Sequence, residues 1–530
     1  MTSTATGRPA APRPYALTHR QIQTVFAGLM AGMFLAALDQ TIVATALPTI
    51  VGELGGLDQI SWVASAYLLT STAVMPLVGK LSDLYGRRQL FQASIVVFLV
   101  GSLLAGVAQS MSQLIAFRAI QGLGGGGLLV LTFAIVGDVV APRERGRYQG
   151  YVASVFAVAS VAGPLIGGFL VDSLSWRWVF YVNLPVGIVA LVITSSALRL
   201  PMRRHGHSID YPGAALLVGG ITSLILVTVW GGNEYPWASG TIIGLGLAGV
   251  VLLGLFVLQE RRAAEPILPL RLFRQSVFTV SSITAFAVGL AMFGAILYLP
   301  LYLQIVKGAD ATNSGLLLLP IMAGILTGST TCGRIITHIG RCRIFPIIGL
   351  ALMTIGFVCF TQLDASTSRL MSSAFMVVVG VGIGFVTPVL VLAVQNAVSP
   401  RDLGAATSAV TFVRTMGGAF GAAVFGAVLN ARLTVEFAAR LPDPVRQGVD
   451  PAQFQGSPEQ IRSLPPAVAR GVVGAFESSL QTVFLVAAVI AVAAFVVVWW
   501  LRELPLRERA DLDEIAADGV VESLGSEAHL

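Results

Sequence analysis

GKLSDLYGRRQLF, Gly79 to Phe91, places one acid, three bases and two glycines between two apolar runs, 60–79 and 91–108. Each run has about the twenty residues that one helix needs to cross a bilayer core. A short charged segment pinned between two such runs reads as a loop at a membrane surface, with a spanning helix on either side.

The pattern continues outward along the whole chain. Apolar runs fall at 25–47, 60–79, 91–108, 114–136, 151–171 and 179–198, then at 212–230 and 241–258. Six more follow at 277–299, 314–336, 344–361, 370–394, 404–429 and 480–500. Over 530 residues, 55% are hydrophobic and 11% charged, against roughly 25% charged in an average soluble domain. The sequence therefore predicts an all-α membrane protein of fourteen spans. The first run is too long for a signal-peptide core and is read as a retained helix.

Basic residues test this parse, because short loops on the cytoplasmic side collect arginine and lysine. Arg87 and Arg88, Arg143 to Arg147, Arg199 to Arg204, Arg261 to Arg274, and Arg341 to Arg343 occupy alternate loops, whereas the loops at 51–59 and 108–113 hold no arginine. Both termini, 1–23 and 503–530, are thereby expected in the cytoplasm. The net charge of +6 reflects topology rather than a nucleic-acid partner. A long proline-containing polar segment at 430–476 is expected outside the cell.

A degenerate repeat divides the chain. Gly79, Gly86 and Arg87 recur as Gly333, Gly340 and Arg341, an offset of 254 residues. Pro142, Arg143, Glu144, Gly146 and Gly163 recur as Pro400, Arg401, Asp402, Gly404 and Gly421, an offset of 258. Two six-helix halves, 24–200 and 277–502, are expected, with two additional helices in a linker at 201–276. Paired halves that rock about a central site are a secondary-transporter architecture.

Several motifs carry a family resemblance. Gly79, Asp83, Gly86, Arg87 and Arg88 resemble the G-x-L-a-D-r-x-G-R-k signature of the major facilitator superfamily. Leu114, Arg118, Gln121, Gly122 and Gly124 resemble its fourth-helix pattern. Gly163, Pro164, Gly167 and Gly168 resemble its antiporter pattern, with Ala159 in place of the leading glycine. Leu38, Asp39, Thr41, Ile42, Val43, Ala46, Leu47 and Pro48 are similar to the first-helix signature of the fourteen-span drug:proton antiporters, with Ala44 where that family usually has asparagine. Trp62, Tyr67 and the stretch SWRWVFYVNLPVG at 175–187 add to the match. The resemblance implies the major facilitator fold and proton-coupled export of hydrophobic or amphiphilic small molecules from a bacterial cell membrane, by a monomer that needs no cofactor beyond the proton gradient.

Physical chemistry assigns expected roles. Asp83 can pair with Arg87 or Arg147 and lock helices at the cytoplasmic face, and the small residues around Pro164 could close an inner gate. Ionisable side chains within a span are costly and so are functional candidates. A rise of 1.5 Å per residue puts Asp39 roughly 21 Å up its helix and Arg118 roughly 9 Å below the outer end of its own, at a similar depth. A carboxylate beside a fixed positive charge gives up its proton readily, and losing that contact reverses this, so Asp39 and Arg118 are the expected proton-coupling pair. Arg414 lies near mid-membrane, where it could meet an anionic or polar part of a substrate or satisfy Gln395 and backbone carbonyls. Tyr67, Gln121, Phe156, Tyr298, Phe385 and Phe412 are further candidates for a central cavity.

Other chemistries find little support. Cys332, Cys342 and Cys359 form no CxxC pair and read as packing residues. The histidines at 19, 205, 207, 338 and 529 show no metal-ligand spacing, and no phosphate-binding G-x-x-x-x-G-K-[ST] loop exists, so an enzyme or a direct ATP user is not expected. Gly122, Gly124 and Gly127 fit G-x-G-x-x-G, but inside an apolar run with no preceding strand. Within the transporter class a dedicated lipid or natural-product exporter, an importer, and a non-transporting sensor remain open.

Overall fold

In the computed structural model, residues 19–506 are described apart from 56–58, 141, 198–209, 233, 310–315, 400–401, 441–460 and 462–463. The outer parts of both expected tails, the 199–204 arginines and the middle of the 430–476 segment lie outside the described residues.

Lipid cannot satisfy a backbone N–H or C=O, so each apolar run closes its own hydrogen bonds as a helix. Fourteen result: α1 (Arg20–Leu54), α2 (Ile60–Tyr85), α3 (Arg87–Gly106), α4 (Met111–Val139), α5 (Pro142–Ser173), α6 (Trp178–Ala197), α7 (Tyr211–Trp230) and α8 (Gly240–Glu260). The second half supplies α9 (Ser276–Val306), α10 (Leu319–Ile339), α11 (Ile344–Phe360), α12 (Arg369–Ala397), α13 (Leu403–Arg440) and α14 (Pro466–Val498). Among the described residues thirteen are long and apolar enough to cross a membrane, and α11 is a shorter apolar helix. Local chemistry sets their ends. Ser110, Ser239, Ser368 and Asp210 each accept a backbone N–H three residues on as N-caps, and Gly340 ends α10 at a φ of 72°, where a side chain would be strained.

The packing repeats itself. In the first half α1 lies on α5 and α6, and α4 on α2 and α3. In the second half α9 lies on α13 and α14, and α12 on α10 and α11. The halves meet along two seams, α5 with α10 and α2 with α13. The extra helices α7 and α8 pair with each other, and α7 leans on α2 and α13, covering the second seam. Both ends of this hairpin are tied to α2. Lys80 bonds Glu265 at 2.8 Å, while at the far end Trp62 bonds Glu234 at 3.2 Å and stacks edge-on with Trp230.

Glycine makes the tightest contacts possible. Gly122 lies against Tyr67 and Thr70 of α2, Gly126 against the Ser71 backbone, and Gly124 against Ser94 and Phe98 of α3. The G-x-G-x-x-G spacing is thus a helix-packing surface.

Helix boundaries depart from the apolar pattern in several places: α5 begins at Pro142 and α14 at Pro466, well ahead of the apolar runs at 151 and 480, so the second shortens the polar segment expected at 430–476. α13 runs on past Leu429 to Arg440. Leu433 and Phe437 stay buried on one side, with Phe437 against Phe476 of α14. On the other side Glu436 bonds Arg440 at 3.0 Å with Arg432 at 3.5 Å, a spacing that supports a helix in water.

Gly126→Leu should force α2 from α4 and cost about 1 to 3 kcal/mol. A lowered melting temperature of the purified protein, measured by fluorescence-detected size exclusion, is the expected result.

Candidate functional site: a buried ion pair and a seam between the halves

Asp39 in α1 and Arg118 in α4 meet at 2.5 Å, with 0% and 2% of their side-chain surfaces exposed. The two residues placed at similar depth by helix arithmetic therefore touch. Arg118 also donates from Nη1 to Gln121 Oε1 at 2.7 Å and from Nε to the Val63 carbonyl at 3.2 Å. Its guanidinium carbon sits 4.4 Å from the Tyr67 ring centre, a cation–π arrangement. Asp39 Oδ1 accepts from Gln121 Nε2 at 2.8 Å and from Asn183 Nδ2 at 3.1 Å. Asn183 in turn donates to Ser102 Oγ at 3.0 Å, and Ser102 to the Phe180 carbonyl at 2.8 Å.

Every charge in this cluster is opposed, as burial demands. Asp39 faces the inside of the first half, while its neighbour Gln40 is exposed. The glycines of the fifth helix fix this orientation. Gly163 and Gly167 let α5 close on Thr41, Ile42 and Thr45, and Thr41 donates to the Ala159 carbonyl at 3.0 Å. Gly168 has open space beside it. The stretch around Pro164 accordingly packs α5 onto α1, and not onto the other half. α5 meets the second half at Gly146 and Gly150, which lie against Gly333 and Thr330.

Those glycines belong to a cluster of contacts between the halves at the face carrying the basic loops. Arg87 bonds Asp83 at 2.5 Å and Asp138 at 2.7 Å, and it also donates to the Ser82 hydroxyl. Asp83 accepts the Ala405 backbone N–H of the second half at 3.0 Å. Gly404 and Gly79 permit this approach, the first lying against Arg87 and Asp83 and the second against Ser408. Gly86 has a φ of 95°, which turns the chain so that Arg87 points back at Asp83. Arg88 instead bonds the Ser195 carbonyl at 2.7 Å, and Arg147 reaches the Tyr151 hydroxyl. Deeper in, Gln395 donates to the Phe133 carbonyl across the halves at 3.0 Å.

Ties at the opposite face run within a half: Arg177 with Glu53 in the first, and Lys307 with the Ala365 carbonyl in the second. The halves are joined at the basic face.

The other cavity candidates scatter. Tyr67 and Gln121 are buried in the ion-pair cluster. Phe412 packs with Ala73, Leu217 and Ile221 under the inserted hairpin. Tyr298 lies on Phe425, and Phe385 on Phe345. Phe156 is half-buried against the cluster of Ala37, Leu38 and Ala159. Arg414 is half-buried, and Gln395 bonds Phe133 and Thr407 rather than Arg414. Asn183 was legible only as part of the 175–187 stretch. Its signal was a lone amide following an aromatic run.

A family profile described as Major Facilitator Superfamily matches residues 29–422. The sequence is 45% identical over 495 residues to an uncharacterized MFS-type transporter of Mycobacterium tuberculosis, covering 93% of this chain and 72% of the relative. It is 36% identical over 527 residues to the multidrug transporter protein MdtP of Bacillus subtilis, covering 95% and 97%. The solved structure of the proton:xylose symporter XylE superposes with a TM-score of 0.59 at 13% identity, covering 94% of this chain and 99% of that one, which shows a shared fold.

Arg118→Leu leaves the Asp39 carboxylate buried and unopposed and should destabilise the protein by about 3 to 5 kcal/mol. Adding Asp39→Asn should restore much of the loss. Thermal melts of both single variants and the double check this, and simple additivity would refute mutual dependence.

Proposed function

The chain belongs to the major facilitator superfamily of membrane transporters, and from that premise we propose that it exports hydrophobic or amphiphilic small molecules in exchange for protons. It is a transporter, not an enzyme, and two relatives matched over nearly its whole length are named a multidrug transporter and a multidrug resistance protein. The observation that carries proton coupling is the isolation of one carboxylate. Among the described residues of α1 to α6, Asp39 alone joins a fully buried position to a permanent cation, and it has two amide partners in reserve.

Protonation of Asp39 cancels its attraction for Arg118. Arg118 keeps Gln121, the Val63 carbonyl and the Tyr67 ring, while a neutral carboxyl can still bond Gln121 and Asn183. Neither group is stranded in either state, so the pair can open and close without the full penalty of a buried lone charge. In the arrangement observed, the basic face is sealed and the pair is closed. We take that face as cytoplasmic, with both termini, in a bacterial cell membrane. Protons then enter from the opposite side, and cargo leaves there. The protein acts as a monomer, energised by the proton gradient without a cofactor. A dedicated lipid or natural-product exporter would use the same device with a narrower cavity.

Asp39→Asn should abolish proton-driven dye efflux in everted vesicles while the protein still reaches the membrane. Wild-type efflux should collapse with a protonophore. Full efflux by the variant would remove Asp39 from the coupling.

A further inference from the structure

Arg414 plays no part in the ion pair or in the contacts at the basic face. It lies eleven residues beyond Leu403, the first residue of α13, which is about 16 Å along the helix and near the middle of a core of about 30 Å. Among the described residues it has no hydrogen-bond acceptor and no ion-pair partner, although it is half-buried. The acids nearest those contacts and the pair are taken: Asp39 by Arg118, and Asp83 and Asp138 by Arg87.

The helix phase shows where Arg414 stands. Thr407, Thr411, Arg414 and Gly418 are spaced by four, three and four residues, one stripe of α13. The lower end of the stripe is fixed by Gln395 of α12, which bonds Thr407 at 3.3 Å and the Phe133 carbonyl of α4 at 3.0 Å. The upper end is fixed by Phe293 of α9, which lies against Gly418. The stripe therefore faces α4, α9 and α12. Arg414 is two turns beyond the Gln395–Thr407 bond.

An intramembrane arginine without a partner is costly and marks a ligand path. We propose that Arg414 binds the carboxylate of an amphiphilic anionic substrate, whose apolar tail remains among the surrounding helices. A guanidinium offers two parallel N–H donors that match the two carboxylate oxygens. Cationic amphiphiles are excluded by the same charge. The inference rests on the exporter reading for its purpose, but binding can be measured without transport.

The full chain, purified in a neutral detergent, is titrated with 11-(dansylamino)undecanoic acid and with its methyl ester. The acid should bind the wild type at least about tenfold more tightly, as expected for a charge-assisted pair. Arg414→Gln should bring the acid to the level of the ester and leave ester binding unchanged, which also shows that the variant is folded. Equal binding of acid and ester by the wild type, or an unchanged ratio in Arg414→Gln, overturns the proposal. If Arg414→Gln does not fold, Arg414→Lys decides: a ratio below wild type supports the two-donor contact, and an unchanged ratio overturns it. Efflux of a neutral dye from proteoliposomes separates the two readings. Efflux without acid–ester discrimination overturns the anion site alone, and discrimination without efflux supports the anion site and overturns the exporter.

Discussion

A carboxylate and a guanidinium in contact where neither meets water impose an order on everything around them. Each would be prohibitively costly alone in a low-dielectric interior. Asp39 and Arg118 are therefore admitted only together, and α1 and α4 must stay in register. Gln121, Asn183 and the Val63 carbonyl take up the remaining valences, which draws α2 and α6 into the same cluster. The exposed Gln40 beside the sealed Asp39 shows how finely this depends on helix phase, since one residue turns a side chain by about 100°.

Such register needs backbones that approach closely, and lipid provides no hydrophobic force to hold helices together. The glycines supply the approach. Gly122 and Gly126 settle α4 on α2, Gly163 and Gly167 settle α5 on α1, and Gly324 and Gly380 bring α10 to α12 in the second half. The inserted pair α7 and α8 follows a different logic. It covers the α2–α13 seam and is bolted to α2 at both ends by Lys80–Glu265 and Trp62–Glu234. On the α13 side Arg271 reaches Asp402 at 2.8 Å through a largely exposed guanidinium, and exposed pairs contribute little. The hairpin is thus tied more firmly to the first half than to the second.

Much of this was legible in residue order. Apolar length gave the spans, and the 254-residue echo of Gly79, Gly86 and Arg87 accompanies a helix packing that repeats between the halves. Asp39 and Arg118 were placed at one depth because rise per residue is nearly constant. What could not be read was azimuth. Tyr67, Gln121 and Phe412 sit at cavity-like depths, yet the phases of α2, α4 and α13 turn them to an ion pair and a hairpin. Asn183 was hidden for the same reason, since an amide shows its worth only when a third helix brings it a carboxylate. The extension of α13 to Arg440 escaped a reading based on apolarity, because its stability there comes from a Glu436 ladder and two buried side chains.

The ion pair and the seam between the halves are parts of one object through α4. Arg118 stands near one end of this helix and Asp138 near the other, twenty positions apart, or about 30 Å. Between them lie the Phe133 carbonyl that accepts Gln395 from the second half and the four glycines 124–127 that seat the helix on α2 and α3. Most of α4 is buried, so it has no soft surface on which to bend. Arg118, the Phe133 carbonyl that meets Gln395, and Asp138 that meets Arg87 are thereby held on one stiff helix. Arg87 also holds Asp83 against the Ala405 N–H, so this tie to the second half is set by the same rigid body that carries the cation. The buried ion pair and the contacts between the halves need no chain of soft contacts to connect them, because one stiff helix belongs to both.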